Sequence, residues 1–238
     1  MKFVPSVNSR YWSALAVASI FGANLGDFLS DVLRLGHLYG LPILIVLLAI
    51  VFLAANWIKD NSIYLFWAAI IIIRAAATNV ADSFHDFKIG LAYSIPAVAL
   101  VLLAVNVVWR FAGRDASSGN QIPINGFYWT SMVLAGVLGT FGGDYLSYPA
   151  GLGNLWAMLI SATAALVVLA VRWRAVRHDV FSYWIIIALI RTAGTAGGDL
   201  LAHGAVGLGP STAITALTFA VAIFVIYGRS KRNLLEAK

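Results

Sequence analysis

Along the chain, apolar positions gather into eight runs separated by short polar joints. The runs cover about 12–32, 39–57, 63–84, 90–110, 127–147, 152–171, 181–202 and 209–228. Each is close to the ~20 residues that an α-helix needs to cross a bilayer. The odd-numbered runs carry polar residues on one side. The even-numbered runs are apolar almost all round, apart from scattered Ser, Thr and Asn. This pattern predicts an all-α membrane protein with eight transmembrane helices. A polar stripe belongs inside a bundle and an all-round apolar helix belongs against lipid. The expectation is therefore an inner set of four odd helices partly enclosed by four even ones.

The odd runs repeat one another. Near their ends stand GANLGDFLSD, AATNVADSFHD, GTFGGDYLSY and RTAGTAGGDLLAH, which contain Asp27, Asp82, Asp144 and Asp199. Fifteen residues before each aspartate lies a tryptophan: Trp12, Trp67, Trp129 and Trp184. An aromatic residue precedes each tryptophan: Tyr11, Phe66, Tyr128 and Tyr183. Asp27 to Asp82 is 55 residues, Asp144 to Asp199 is again 55, and the middle step is 62 because GRDASSGNQIP is inserted. Registers kept four times over define an internal repeat of two helices. The division that follows is 1–111 for repeats one and two, a cytoplasmic linker at 112–126, and 127–238 for repeats three and four. An even number of spans per repeat makes the repeats parallel, in two pseudo-symmetric halves, and places the four aspartates at one depth.

Charge settles which way the bundle is expected to face. Lys2, Arg10, Lys59, Arg110, Arg114, Arg172, Arg174, Arg177, Arg229, Lys231, Arg232 and Lys238 fall in the termini and in the joints after the second, fourth and sixth runs, and only Arg34 and Lys88 fall at the other face. The positive-inside rule then puts both termini in the cytoplasm. Seven of the eight tryptophans fall at cytoplasmic helix ends, where an interfacial belt is expected. The composition agrees: 61% of the 238 residues are hydrophobic and 11% charged, against about 25% charged in soluble domains. The formal charge of +6 is spent on topology, so no nucleic-acid partner is expected. There is no cysteine, which excludes disulfides and thiolate metal sites. The basic, then apolar, start has the outline of a signal peptide, but it carries the repeat pattern and is read as the first span. The basic tail RSKRNLLEAK is read as a cytoplasmic anchor.

A projection at 100° per residue puts the chemistry on one face. Four residues before the aspartates stand Ala23, Thr78, Thr140 and Thr195, and eight before stand Ser19, Arg74, Gly136 and Arg191. Just beyond them come Ser30, Asp31, His85, Asp86, Ser147, Tyr148 and His203. Small pairs four apart, Gly22/Gly26, Ala77/Ala81, Gly139/Gly143 and Gly194/Gly198, let helix backbones approach closely and are read as packing residues. Arginines inside a bilayer need partners. Within one helix the eight-residue step is about 12 Å, too far for a direct pair, so Arg74 and Arg191 are expected to meet aspartates of neighbouring helices. Six of the ten acidic residues and three of the four histidines lie at the aspartate end, where helix C-termini add negative potential. Carboxylate with imidazole suits Mn, Fe, Zn or, through water, Mg. The expected metal-ligating set is Asp27, Asp31, Asp82, His85, Asp86, Asp144, Asp199 and His203. His37 is read as merely interfacial.

At these tryptophans and at GANLGD, ATNVAD, GTFGGD and GTAGGD, the chain resembles a bacterial family of integral membrane proteins of unknown function. That family is built of four tandem repeats, each with two spans and a characteristic tryptophan. The resemblance covers about residues 10–228 and implies the architecture without a substrate. The second repeat departs from it in having Ala77 and Ala81 where glycine stands elsewhere.

The resulting functional expectation is a transporter or channel for a cation, divalent and with manganese favoured, in a bacterial cytoplasmic (inner) membrane. In an ion-binding set of Asp27, Asp82, Asp144, Asp199, Thr78, Thr140, Thr195, Arg74 and Arg191, the aspartates would bind or relay the ion, the arginines would hold the empty site and set its charge, and the lower stripe with the threonines would be the cytoplasmic half of the path. Three readings compete: an intramembrane metal-dependent enzyme, a scaffold whose charges only lock helices together, and a small organic solute transporter anchored by the arginines. No HExxH or GxSxG motif is present, which counts against the enzyme, and no catalytic residue is assigned. The expected partners are the lipid bilayer and a small ion or solute. No cofactor is expected beyond a divalent cation as substrate, and oligomeric assembly is left open.

Overall fold

A computed structural model describes residues 4–58, 62–112, 122–175 and 180–228. Lys2, Lys59, Arg114, Arg177, Arg229, Lys231, Arg232, Lys238, most of the 112–126 linker and the 229–238 tail lie outside the described residues. Within them are eight α-helices and no β-strand: α1 (Ser9–Asp27), α2 (His37–Trp57), α3 (Ser62–Asp86), α4 (Leu91–Phe111), α5 (Gly126–Ser147), α6 (Gly153–Ala175), α7 (Val180–Asp199) and α8 (Leu208–Ile223). All eight apolar runs are helices, with ends a few residues from those expected.

Local chemistry explains the helix ends. Asn8 and Asn125 are extended N-cap residues whose side chains accept from the amides of Tyr11 and Tyr128, at 3.2 and 3.0 Å. Each thereby satisfies one of the orphan donors of a helix start. Gly36 and Gly207 precede α2 and α8 at φ +69° and +87°, a left-handed turn that favours glycine. After Asp27 and Asp199 the α-helical pattern opens into π-helical turns, Phe28–Val32 and Leu200–Ala205. Five-residue backbone bonds follow, from Leu33 N to Phe28 O at 3.1 Å and from Val206 N to Leu201 O at 3.0 Å. The 100° projection therefore stops holding at these two aspartates.

The inner helices form a closed ring. α1 packs on α3, α3 on α5, α5 on α7 and α7 on α1. Each even helix leans on the odd helix that follows it: α2 on α3, α4 on α5, α6 on α7, and α8 back on α1. Of the apolar stretches of α1, α3 and α7, 50%, 61% and 56% is buried within the protein, against 11%, 17%, 17% and 22% for the even helices. This is the expected inner and outer partition. Seven of the helices are long and apolar enough to cross a membrane. α5 falls short in hydropathy because Gly, Thr and Ser dilute its apolar content. Side chains such as Ile45, Leu53, Leu100, Leu166 and Leu217 are more than half exposed on the even helices. Apolar surface on that scale belongs against hydrocarbon.

The small pairs make the ring possible. A Cβ on Gly22 would meet Arg74 Cγ and Cβ at 2.5 and 2.6 Å, and one on Gly139 would overlap Arg191 Cβ. On Gly136 it would meet Ala77 Cβ at 2.6 Å, and on Gly194 it would meet Ser19 Cβ at 2.5 Å. The glycine surface of one inner helix thus receives the arginine-tier residue of its neighbour. Gly139→Val is accordingly expected to cost about 1–3 kcal/mol through overpacking, read as a lower melting temperature in detergent.

The tryptophans at these helix ends differ in burial. Trp12, Trp67, Trp109 and Trp184 are 7%, 1%, 0% and 3% exposed. They belong to the bundle core with Tyr11, Phe66, Tyr128 and Tyr183, whereas Trp57 and Trp156 stand exposed. Periodicity places a residue on a face of its helix. For Trp12, Trp67, Trp109 and Trp184 that face is the inward one, so these indoles pack against neighbouring helices.

Candidate functional site: an acidic vestibule above two buried arginines

The inner helices bring aromatic residues, then arginines with threonines, then aspartates together in successive groups. At the N-terminal end lie Tyr11, Phe66, Tyr128 and Tyr183, all 0–2% exposed. The Tyr11 and Tyr183 hydroxyls are 2.6 Å apart and those of Tyr128 and Tyr183 are 3.4 Å apart. Surrounding indoles close this level, for example Trp67 at 5.6 Å from the Tyr11 ring and Trp12 at 5.6 Å from the Tyr183 ring. The polar stripe therefore does not continue as an open route past the tyrosines.

Arg74 and Arg191 occupy the next level and are both 0% exposed. Arg74 Nη1 donates to Thr78 Oγ1 at 2.7 Å and to Thr140 Oγ1 at 2.9 Å, and Nη2 donates to Thr195 Oγ1 at 2.5 Å. One guanidinium thus joins α3, α5 and α7. Arg191 turns the other way along the axis, and its Nη2 lies 3.5 Å from Met132 Sδ on α5. Neither arginine is within ion-pair distance of a carboxylate among the described residues, and the aspartates' ion pairs given there are with His37 and His85. The expected Arg–Asp pairs are therefore replaced by an arginine–threonine clamp. The threonines stand one turn nearer than the aspartates, and three hydroxyl acceptors fit the planar fork of Arg74.

Above the threonines a cavity of about 520 Å³ opens at the aspartate end. Asp27, Asp82, Asp144 and Asp199 line it, with Asp31, His85, Asp86 and His203 further out. All eight residues expected to face a metal thus share one vestibule, joined by His37, Leu91, Tyr148 and Pro149. Thr78, Thr140, Thr195, Arg74 and Arg191 do not line it but lie buried beneath. Among the described residues no three His, Asp or Glu side chains converge closely enough to hold a bare metal ion. The carboxylates surround a space instead of gripping a point.

His37 is a second correction. From the first position of α2 its Nδ1 lies 2.8 Å from Asp86 Oδ2, and its Nε2 lies 3.9 Å from both Asp31 and Asp82. His85 Nε2 lies 3.5 Å from Asp144 Oδ2 and links α3 to α5. Nothing in the even runs signals an inward residue, because α2 is apolar on all sides and only its first turn reaches the vestibule. The His37 side chain is 23% exposed and its Asp86 partner 54%. His37→Ala is therefore expected to change stability by less than about 1 kcal/mol, measurable as a small shift in thermal unfolding.

Two further buried residues had drawn no attention in the sequence. Asn24 and Asn79, each three residues before an aspartate, are 0% exposed. Asn24 Nδ2 donates to Ser211 Oγ, and Thr212 Oγ1 donates to Asn24 O at 3.2 Å, which docks α8 on α1. Their signal was the 55-residue spacing they share with the aspartates.

Ring, apolar outer helices and acidic vestibule define a multi-pass helical membrane protein. The family model described as Repeat of Unknown Function (DUF347) matches residues 10–60 and 182–233. These segments hold α1–α2 and α7–α8, so the first and fourth two-helix units are similar to that repeat. No curated protein and no solved structure matches the chain.

Proposed function

We propose that this protein is a transporter or channel for a cation, divalent and with manganese favoured, in a bacterial cytoplasmic membrane. All eight helices cross the bilayer in this reading. α5 tolerates its lower hydropathy because α3, α4 and α7 pack around it. The four two-helix repeats run parallel in two pseudo-symmetric halves, 1–111 and 127–238 about the 112–126 linker. Their basic ends and both termini face the cytoplasm, and the vestibule faces outward. A small cation and the lipid bilayer are the partners, with no cofactor beyond the transported ion.

The observation that carries the reading is the lining of one cavity by six aspartates, Asp27, Asp31, Asp82, Asp86, Asp144 and Asp199. Carboxylates so placed at a membrane protein's mouth attract cations and repel anions. Because no three ligands converge among the described residues, the cation is held with its water. That suits a hard divalent ion, which dehydrates reluctantly. The buried Arg74, two turns beneath the aspartates with its guanidinium on the threonines, offsets the mutual repulsion of the carboxylates when the site is empty. The closed tyrosine level is the far barrier that a transport cycle has to open.

The test is flux into proteoliposomes loaded with a manganese-quenched dye. Wild-type protein is expected to quench the dye faster than empty liposomes. The variant with Asp27, Asp82, Asp144 and Asp199 all changed to Asn, folded by circular dichroism, is expected not to. If folded wild type moves none of Mn, Mg, Ca or Zn above the liposome background, the transport reading fails.

A further inference from the structure

The half of the core opposite the vestibule holds a surplus of hydrogen-bond donors. Arg191 is 0% exposed, and its Nε and Nη1 have no partner among the described residues. Its one contact of this kind is Nη2 to Met132 Sδ at 3.5 Å, and a thioether is a weak acceptor. Met132 is one helical turn from Tyr128 on α5, so Arg191 points to the tyrosine level and lies within electrostatic reach of Tyr11, Tyr128 and Tyr183. These three hydroxyls carry three hydrogens. The contacts at 2.6 and 3.4 Å and the interaction of Tyr11 with Tyr128 gather the three hydroxyls into one cluster that can turn a hydrogen toward a bound acceptor. Ser19, at the arginine level of α1, is also buried and its hydroxyl is not engaged with Arg191. The other charge on this axis is Arg74, a second cation whose guanidinium is turned to the threonines. The aspartates stand beyond those threonines. An unpaired buried charge is costly, and the cost falls when an opposite charge accepts its hydrogen bonds. Free donors under a positive potential call for an anionic acceptor that is small enough for a packed core.

We propose that Arg191, with the hydroxyl cluster of Tyr11, Tyr128 and Tyr183, holds a small monovalent anion of the halide class in the half of the core opposite the vestibule. The site is separate from the carboxylate cavity and does not depend on what that cavity takes. A bilayer-spanning protein with a cation vestibule above and a halide below carries opposite charges at two levels of one axis.

Crystals of the full chain grown in bromide give the direct readout. A single anomalous peak in contact with Arg191 Nε or Nη1 is expected, and it persists when Asp27, Asp82, Asp144 and Asp199 are changed to Asn. Density at that position with no anomalous signal, as from a water, or no density at all, overturns the proposal. In solution, the full chain in detergent is melted in chloride and in gluconate at equal ionic strength. Wild type is expected to gain about 5 °C or more, saturably, as chloride rises to 100 times its Kd. Arg191→Met is expected to lose the chloride dependence. Tyr128→Phe, which keeps the ring and removes one hydroxyl, is expected to need several-fold more chloride, and it serves if Arg191→Met does not fold. A wild type indifferent to chloride, or an unchanged chloride response in folded Arg191→Met, contradicts the site.

Discussion

Arg74→Leu is expected to destabilise the protein by about 3 kcal/mol or more, the range seen when one partner of a buried charged network is removed. The guanidinium makes three bonds, to threonines of α3, α5 and α7, from a site that is 0% exposed. Bonds to a charged donor contribute about 1.5–3 kcal/mol each where their partners are left buried. Thr78 recovers part of this by donating to Arg74 O, now at 3.3 Å. Thr140 and Thr195 have no such bond and lose their donor. Lysine does not rescue the loss, since a single ammonium cannot present a planar fork to hydroxyls on three helices. Arg74→Lys is thus expected to lie nearer Arg74→Leu than wild type. Denaturant unfolding in micelles, followed by helical circular dichroism, checks both variants. If Arg74→Leu melts with wild type, the threonine clamp is not what joins the three helices.

The second large effect concerns the vestibule. Each of Asp27, Asp82, Asp144 and Asp199 changed singly to Asn is expected to weaken binding by about 100-fold for a monovalent cation and about 10,000-fold for a divalent one. The magnitude follows from removing one charge at ~6 Å under an effective dielectric constant of ~20, which is roughly 3 kcal/mol per unit of ion charge. A divalent ion is expected to lose more than a monovalent one. The outer Asp31 and Asp86 side chains are 60% and 54% exposed. Water screens them, and their Asn variants are expected to weaken binding by less than about 10-fold. A direct titration of each variant separates the two levels. Equal losses at both levels would mean that the ion stays in the outer mouth.

Much of this arrangement was legible in the spacing of residues. The 15-residue step from tryptophan to aspartate, kept four times, set the levels at which the inner helices meet. The contrast between striped and uniformly apolar runs separated ring from envelope. What stayed hidden depended on side-chain direction and on irregular backbone. Arg74 was expected to seek a carboxylate, but an arginine extends toward whichever acceptor its rotamer reaches, and Thr78 stands one turn away on its own helix. Arg191, in the same register, extends the other way to Met132. No periodicity distinguishes the two. That Trp12, Trp67 and Trp184 are buried was not legible, because the end of a helix in sequence says nothing of how much neighbouring chain covers it. The π-helical turns after Asp27 and Asp199 change the angle of every residue beyond them. The projection of Asp31 and His203 from an ideal helix was therefore not reliable. His37 needed the tertiary fold, since only the docking of α2 on α3 brings its first turn over Asp82 and Asp86.

The proposed function rests on a cation site formed by the four inner aspartates. It is tested most directly by calorimetric titration of Mn, Mg, Ca and Zn into the purified, detergent-solubilised full chain, beside the variant in which Asp27, Asp82, Asp144 and Asp199 are all Asn. Saturable binding of a divalent ion to wild type, and none to the folded variant, is expected. Folded wild type that binds none of the four ions, or a variant that binds them as wild type does, would contradict it.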